Sequence, residues 1–81
     1  MRGEVALIRE QGQDFAVLVV KNSVISNAQA RDEMAEFGFR EFGVRTALLS
    51  EDGRTWGDKD IVNWLEGVFL EQLPWREFSM A

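Results

Sequence analysis

The sequence contains no histidine, no cysteine and no tyrosine, and its 81 residues include a single proline. Without histidine or cysteine, Ser-His-Asp and Cys-His catalysis are impossible, and structural zinc sites and 2-His-1-carboxylate iron sites lose their ligands. The absence of cysteine also excludes a disulfide framework, and it fits a reducing, cytoplasmic environment. We therefore expect a cytoplasmic protein that holds no metal and no other cofactor.

Long hydrophobic runs and basic residues are also scarce. The longest apolar run, residues 15–20, is far below the roughly 18 residues that a membrane-spanning helix requires. An earlier run, residues 5–8, is too short for the core of a signal peptide. Nine basic residues against 14 acidic ones leave a net charge of −5, which disfavours binding to a phosphate backbone. The sequence thus predicts neither a membrane partner nor a nucleic-acid partner.

Hydrophobic residues make up 46% of the chain, which is ordinary for a globular protein and predicts one domain over residues 1–81. Residues 4–10 and 14–21 read as two strands of a hairpin that turns at Gln11–Gln13. The second strand is apolar on both faces, which is typical of an inner strand. Ser26 and Gln29 match a capping box, and they predict a helix from about Asn27 to Phe37 with Arg31 toward solvent.

Gly38 is expected to end this helix in the left-handed conformation, before a third strand over residues 44–49. A turn at Ser50–Gly53 and a short fourth strand at Arg54–Trp56 follow. A second helix begins near Asp58 and ends near Leu73, because Pro74 cannot continue it, and residues 75–81 form an aromatic tail. The order ββαββα predicts an α+β, two-layer sandwich, with two helices on one face of a small antiparallel or mixed sheet; the strand order cannot be predicted.

Carboxylates are the remaining candidates for catalysis. Asp52, Asp58 and Asp60 flank Trp56, and paired carboxylates can act as general acid and base. Turn formation and the favourable position of acids at a helix N-terminus account for all three residues without catalysis. The sequence therefore favours a protein that is not an enzyme.

The segment Phe37-Gly38-Phe39-Arg40-Glu41-Phe42 resembles part of the RNP1 motif of RNA-recognition domains, in which aromatic side chains on a strand stack on RNA bases. Ala35 and Glu36 stand where that family has a basic residue and a glycine, and Arg40 replaces an aliphatic residue. The segment also falls at a predicted helix end. These departures favour a role in helix termination.

The second predicted helix is more apolar than one sheet face normally requires. It is followed by two large aromatic residues in the tail, of types enriched at the centres of protein interfaces. We therefore predict a protein-interaction module, a homodimer or a complex with another protein, whose interface contains Trp64, Val68, Phe69, Trp75 and Phe78. An alternative is a small-molecule-binding domain, in which Trp56 and nearby Phe residues line an apolar pocket and Arg45 or Arg54 holds an anionic group.

Overall fold

The structure, a computed structural model, describes residues 2–10 and 12–79. Among these residues, five strands form one mixed sheet in the order β4-β3-β2-β1-β5. The strands are β1 (Arg2–Glu10), β2 (Gln13–Val20), β3 (Arg45–Ser50), β4 (Thr55–Trp56) and β5 (Trp75–Ser79). The helices are α1 (Asn22–Ile25), α2 (Ala28–Phe42), α3 (Lys59–Glu66) and a short 3-10 helix, η1 (Leu70–Gln72).

The predicted hairpin of β1 and β2 is confirmed. The two strands pair antiparallel up to Glu10 and Gln13, and Gly12 has a φ of +77°, which a glycine adopts without a Cβ penalty. β2 then pairs with β3 in parallel. Because parallel neighbours require a crossover, residues 21–44 leave the sheet and carry α1 and α2 before the chain returns.

Helices cover both faces of the sheet. One face packs under α1 and α2, around Leu18 and Leu48; the other packs under α3 and η1, around Val17 and Ile61. The α+β class is confirmed, but the prediction of two helices on one face is wrong. The physical reason is the alternation within β2 and β3, where adjacent apolar residues point to opposite faces and each face must be covered.

The first long helix differs from its prediction at both ends. Asn27, and not Ser26, is the N-cap, and its side-chain oxygen accepts from the backbone N–H of Ala30 at 3.0 Å. Ser26 instead ends α1, where its hydroxyl donates to the carbonyl of Asn22 at 3.0 Å. The helix continues through Gly38 to Phe42 and ends at Gly43, whose φ is +73°.

The last third of the chain also differs from its prediction. α3 ends at Glu66, followed by Gly67, a residue of low helix propensity. The chain then turns through η1 into β5, which pairs antiparallel with β1 from Arg2↔Ser79 to Ala6↔Trp75. The prediction of a tail after Pro74 is therefore wrong for residues 75–79; residues 80 and 81 lie outside the described part of the chain.

Candidate functional site

A groove of about 570 Å³ lies beside the edge strand β4. Both helical layers contribute to it, because this end of the sheet is flanked by α1 and α2 on one side and by α3 on the other. The lining residues are Ile25, Arg31, Gly53, Arg54, Thr55, Trp56, Leu65, Glu66, Val68 and Leu70. Its volume falls within the usual range of small-ligand sites.

Arg54 holds one wall of this groove in place. Its Nε donates to Asp52 Oδ2 at 2.8 Å and to Oδ1 at 3.1 Å, and its two Nη atoms donate to the Ser26 hydroxyl at 2.9 Å and to the Asn22 carbonyl at 3.3 Å. Hydrogen bonds from the Arg54 guanidinium and from the Ser50 hydroxyl lower the pKa of Asp52 from 3.8 to about 2. The guanidinium therefore ties the β3–β4 turn to α1.

Arg31 is bonded along only one side of its guanidinium. Nη1 donates to the carbonyl of Ile25 at 2.9 Å, and the guanidinium carbon lies 5.5 Å from the centre of the Trp56 ring, a distance at which a cation is attracted to the ring face. Among the described residues, Nε is buried without a hydrogen-bond partner. This edge of the guanidinium can pair with a carboxylate.

Of the predicted pocket residues, Trp56 and Arg54 line the groove and Arg45 does not. Arg45 donates instead to Asp58 at 3.0 Å, to Asp60 at 3.1 Å and to Gln13 at 2.8 Å. Hydrogen bonds to Asp60 and then to Asp58 raise the pKa of Arg45, and the bond from Arg45 lowers the pKa of Asp60. Arg45 thus fastens the start of α3 to β2 and β3.

The three candidate acids do not form one catalytic site. Asp58 and Asp60 share Arg45, whereas Asp52 is bonded to Ser50 and Arg54 in a different turn. Within residues 2–10 and 12–79, no group of three or more acidic side chains is placed to hold a metal ion.

The predicted interface residues are divided between the two faces of the sheet. Trp64, Val68 and Trp75 pack on the face covered by α3, where the Trp64 ring meets Phe15 edge-on at 5.3 Å and Trp75 Nε1 donates to the Leu70 carbonyl at 2.7 Å. Phe78 lies on the opposite face. Phe69, between α3 and η1, is 73% exposed, so these five residues do not form one continuous surface.

The RNP1-like segment lies within α2, not on a strand. The rings of Phe37 and Phe42 pack against Phe78, with centroids 6.1 and 5.4 Å from it. Phe37 and Phe42 are therefore partly buried against the core, and Phe39 points into solvent from the helix, so these side chains do not form a flat stacking surface for bases on a strand.

Sequence reasoning missed Arg31, which was expected to point toward solvent. Its spacing contained a signal, because Arg31, Met34 and Gly38 lie at i, i+3 and i+7 and share one face of a helix. Met34 and Gly38 both face the sheet, so Arg31 borders the buried side of α2.

No family model, no curated protein and no solved structure matches this chain. In the part of the chain that the structure describes, the helices are too short and too polar to cross a membrane.

Proposed function

We propose that this protein is a non-enzymatic interaction module that forms a homodimer, and that Phe69 anchors the contact between the two copies. The observation that carries the proposal is the 73% exposure of Phe69. A large aromatic side chain buries roughly 150–250 Å² when it is covered. Aromatic residues often contribute much of the binding energy at interfaces. Phe69 therefore offers apolar area that its own domain leaves in water.

The backbone presents the Phe69 ring from a fixed position. The neighbours Val68 and Leu70 pack into the cluster beneath α3, and the Phe69 carbonyl accepts from Gln72 N at 3.0 Å. Because both flanking side chains are packed, little backbone entropy is lost when a partner covers the ring. Such pre-organisation is typical of an interface anchor.

The surroundings of Phe69 favour a second copy over a nucleic acid. Trp64, Leu73 and Trp75 are only partly buried on the same face of the sheet, so additional apolar area is available there. The exposed charges that flank Phe69 in the chain, Glu66 and Glu71, are acidic, and the whole chain carries −5. These charges oppose contact with phosphates.

Sedimentation velocity tests the proposal with Phe69→Ala and a matched control, Phe39→Ala. Phe39 is 58% exposed on α2, so both variants remove a ring that is mostly in water. We expect the wild type and Phe39→Ala to form dimers as concentration rises over about two orders of magnitude, and Phe69→Ala to remain a monomer. A wild-type monomer throughout this range, or equal effects of both substitutions, would contradict the proposal.

A further inference from the structure

We propose that the groove beside β4 binds a small organic acid. The carboxylate of this acid pairs with Arg31, and the apolar body of the acid packs against α3 and the segment after it, which carries Val68 and Leu70. Binding at this groove does not require the homodimer: Phe69 is not among the residues that line the groove, although its neighbours Val68 and Leu70 are. The two guanidinium groups of the groove differ in the hydrogen bonds that they make.

Arg54 is fully committed to the protein. All three of its guanidinium nitrogens donate to Asp52, Ser26 or Asn22, and Asp52 balances its charge. Arg31, in contrast, uses Nη1 for the Ile25 carbonyl, while Nε has no partner among the described residues. Nη2 of Arg31 also donates no hydrogen bond within these residues. Unlike Nε, Nη2 is not buried, so it is in contact with solvent.

Nε and Nη2 form one edge of the guanidinium, and this edge matches the two oxygens of a carboxylate in a bidentate pair. The opposite edge and the ring face are already fixed, by Ile25 and by Trp56. The guanidinium is thus held in one orientation before a ligand arrives. A buried donor without a partner is unfavourable; a carboxylate that reaches Nε after a small shift of the Arg31 side chain, and that also pairs with Nη2, removes that penalty.

The remaining walls of the groove define the rest of the ligand. Leu65 is buried, and Val68 and Leu70 are half-buried, so they provide an apolar surface in the same groove as Arg31. Glu66 also lines the groove and is exposed; its carboxylate repels an anion. These features favour a monocarboxylate with a compact apolar body over a phosphate or a multiply charged acid.

Benzoate is a suitable probe, with benzamide as the uncharged control of the same shape and acetate as the control without an apolar body. We expect benzoate to bind saturably and to shift the Arg31 Nε–Hε resonance in nitrogen–proton NMR spectra of the wild type. Benzamide and acetate should bind roughly tenfold more weakly or not at all. Equal binding of benzamide, or saturable binding that leaves the Arg31 resonance unmoved, would overturn the inference.

Three variants locate the site. Arg31→Gln should weaken benzoate binding about tenfold or more, whereas Arg40→Gln, at an exposed position on α2, should leave it unchanged. Glu66→Gln removes a repulsive charge from an exposed position and should strengthen binding. Benzoate affinity that is equal in Arg31→Gln, Arg40→Gln and Glu66→Gln would place any binding elsewhere and overturn the inference. Because Phe69→Ala should bind benzoate as the wild type does, failure of the dimer and failure of this site can be told apart.

Discussion

Gly38 and Thr46 lie so close together that α2 and β3 have no room for a side chain at position 38. A Cβ built on Gly38 would lie 2.4 Å from Thr46 Oγ1 and 2.7 Å from Thr46 Cβ. Gly38 is buried in the middle of α2, and its φ is not in the left-handed region. The residue is therefore required for the approach of the helix to the sheet and not for a backbone turn.

Gly38→Ala should lower the free energy of unfolding by about 1–3 kcal/mol, as overpacking in a close-packed interior does. This loss of stability has the opposite sign to helix propensity, which favours Ala over Gly by about 1 kcal/mol. Urea denaturation measures the net change in the free energy of unfolding. A matched test is the double variant Gly38→Ala/Thr46→Gly, in which the clashing side chain is gone and the Gly38→Ala penalty should largely disappear. An equal penalty in both backgrounds would show that Thr46 is not the cause.

Gly43→Ala tests the helix end. No atom lies within 4 Å of a Cβ at Gly43, but its φ is +73°, so the cost is backbone strain alone. We expect a loss of about 1 kcal/mol in the free energy of unfolding. Gly43→Asn should lose less, because Asn tolerates the left-handed conformation better than Ala. Equal stability of Gly43→Ala and the wild type would contradict this assignment of the helix end.

The free energy of unfolding should decrease in acid, and Asp52 should contribute to the decrease. Folding lowers its pKa from 3.8 to about 2, so the unfolded chain binds this proton more readily than the folded one. The stabilisation is complete above the unfolded pKa and is lost as the pH falls from about 4 through about 2. Asp52→Asn should show a smaller decrease than the wild type over this range in urea titrations. A decrease identical to that of the wild type would show that Asp52 does not contribute.

Salt should strengthen the proposed homodimer. Each copy carries −5, and Glu66 and Glu71 flank the exposed Phe69, so the two surfaces repel each other at low ionic strength. Raising the salt concentration from about 50 to 500 mM shortens the range of this repulsion and should lower the dissociation constant. Sedimentation equilibrium measures the change. Weaker association in high salt would indicate a contact made by opposite charges and would contradict an interface of this kind.

Removing residues 75–81 should prevent folding, and not merely release monomers. The deletion takes away β5, which pairs with Val5 and Ala6 of β1; both are fully buried. It also removes Trp75 and Phe78, which pack on opposite faces of the sheet. Circular dichroism and urea titration should show no cooperative transition. Trp75→Phe is the conservative comparison: it loses the hydrogen bond to the Leu70 carbonyl, about 1 kcal/mol, and part of the packing of the indole ring, and it should still unfold cooperatively.

The sequence predicts β1 to β4 because these elements depend on nearby residues, but it misses α1 and β5 and the ends of both long helices. The apolar residues on both faces of β2 correctly predict an inner strand. The same pattern implies that helices cover both faces of the sheet, which the predicted two-layer sandwich did not include. The segment Glu36-Phe37-Gly38 recurs as Glu41-Phe42-Gly43, and local rules cannot decide which glycine ends the helix. Gly38 is required by its close approach to Thr46, a contact across the structure that local rules do not show, and Gly43 is the glycine with the left-handed conformation.

The candidate site is only partly predictable for the same reason. Trp56 and Arg54 belong to one short strand and its preceding turn, so their proximity follows from the sequence. Arg31 reaches the groove because α2 is rotated to place Gly38 against β3, a fact of tertiary packing. Arg45 lies at the start of β3, away from the residues that pair with β4, and it binds the acids at the start of α3; this placement depends on the path of the chain between β4 and α3.

The pairing of β1 with β5 determines when this protein can finish folding during synthesis on the ribosome. The hairpin and the crossover to β3 have been synthesised once residue 50 is added, but the outer edge of β1 has no neighbour until residues 75–79 emerge. Until then, the nascent chain carries an open strand edge, and such edges pair readily with other chains. Chaperones that bind extended apolar segments would therefore find a target in β1 from early in synthesis until β5 is added.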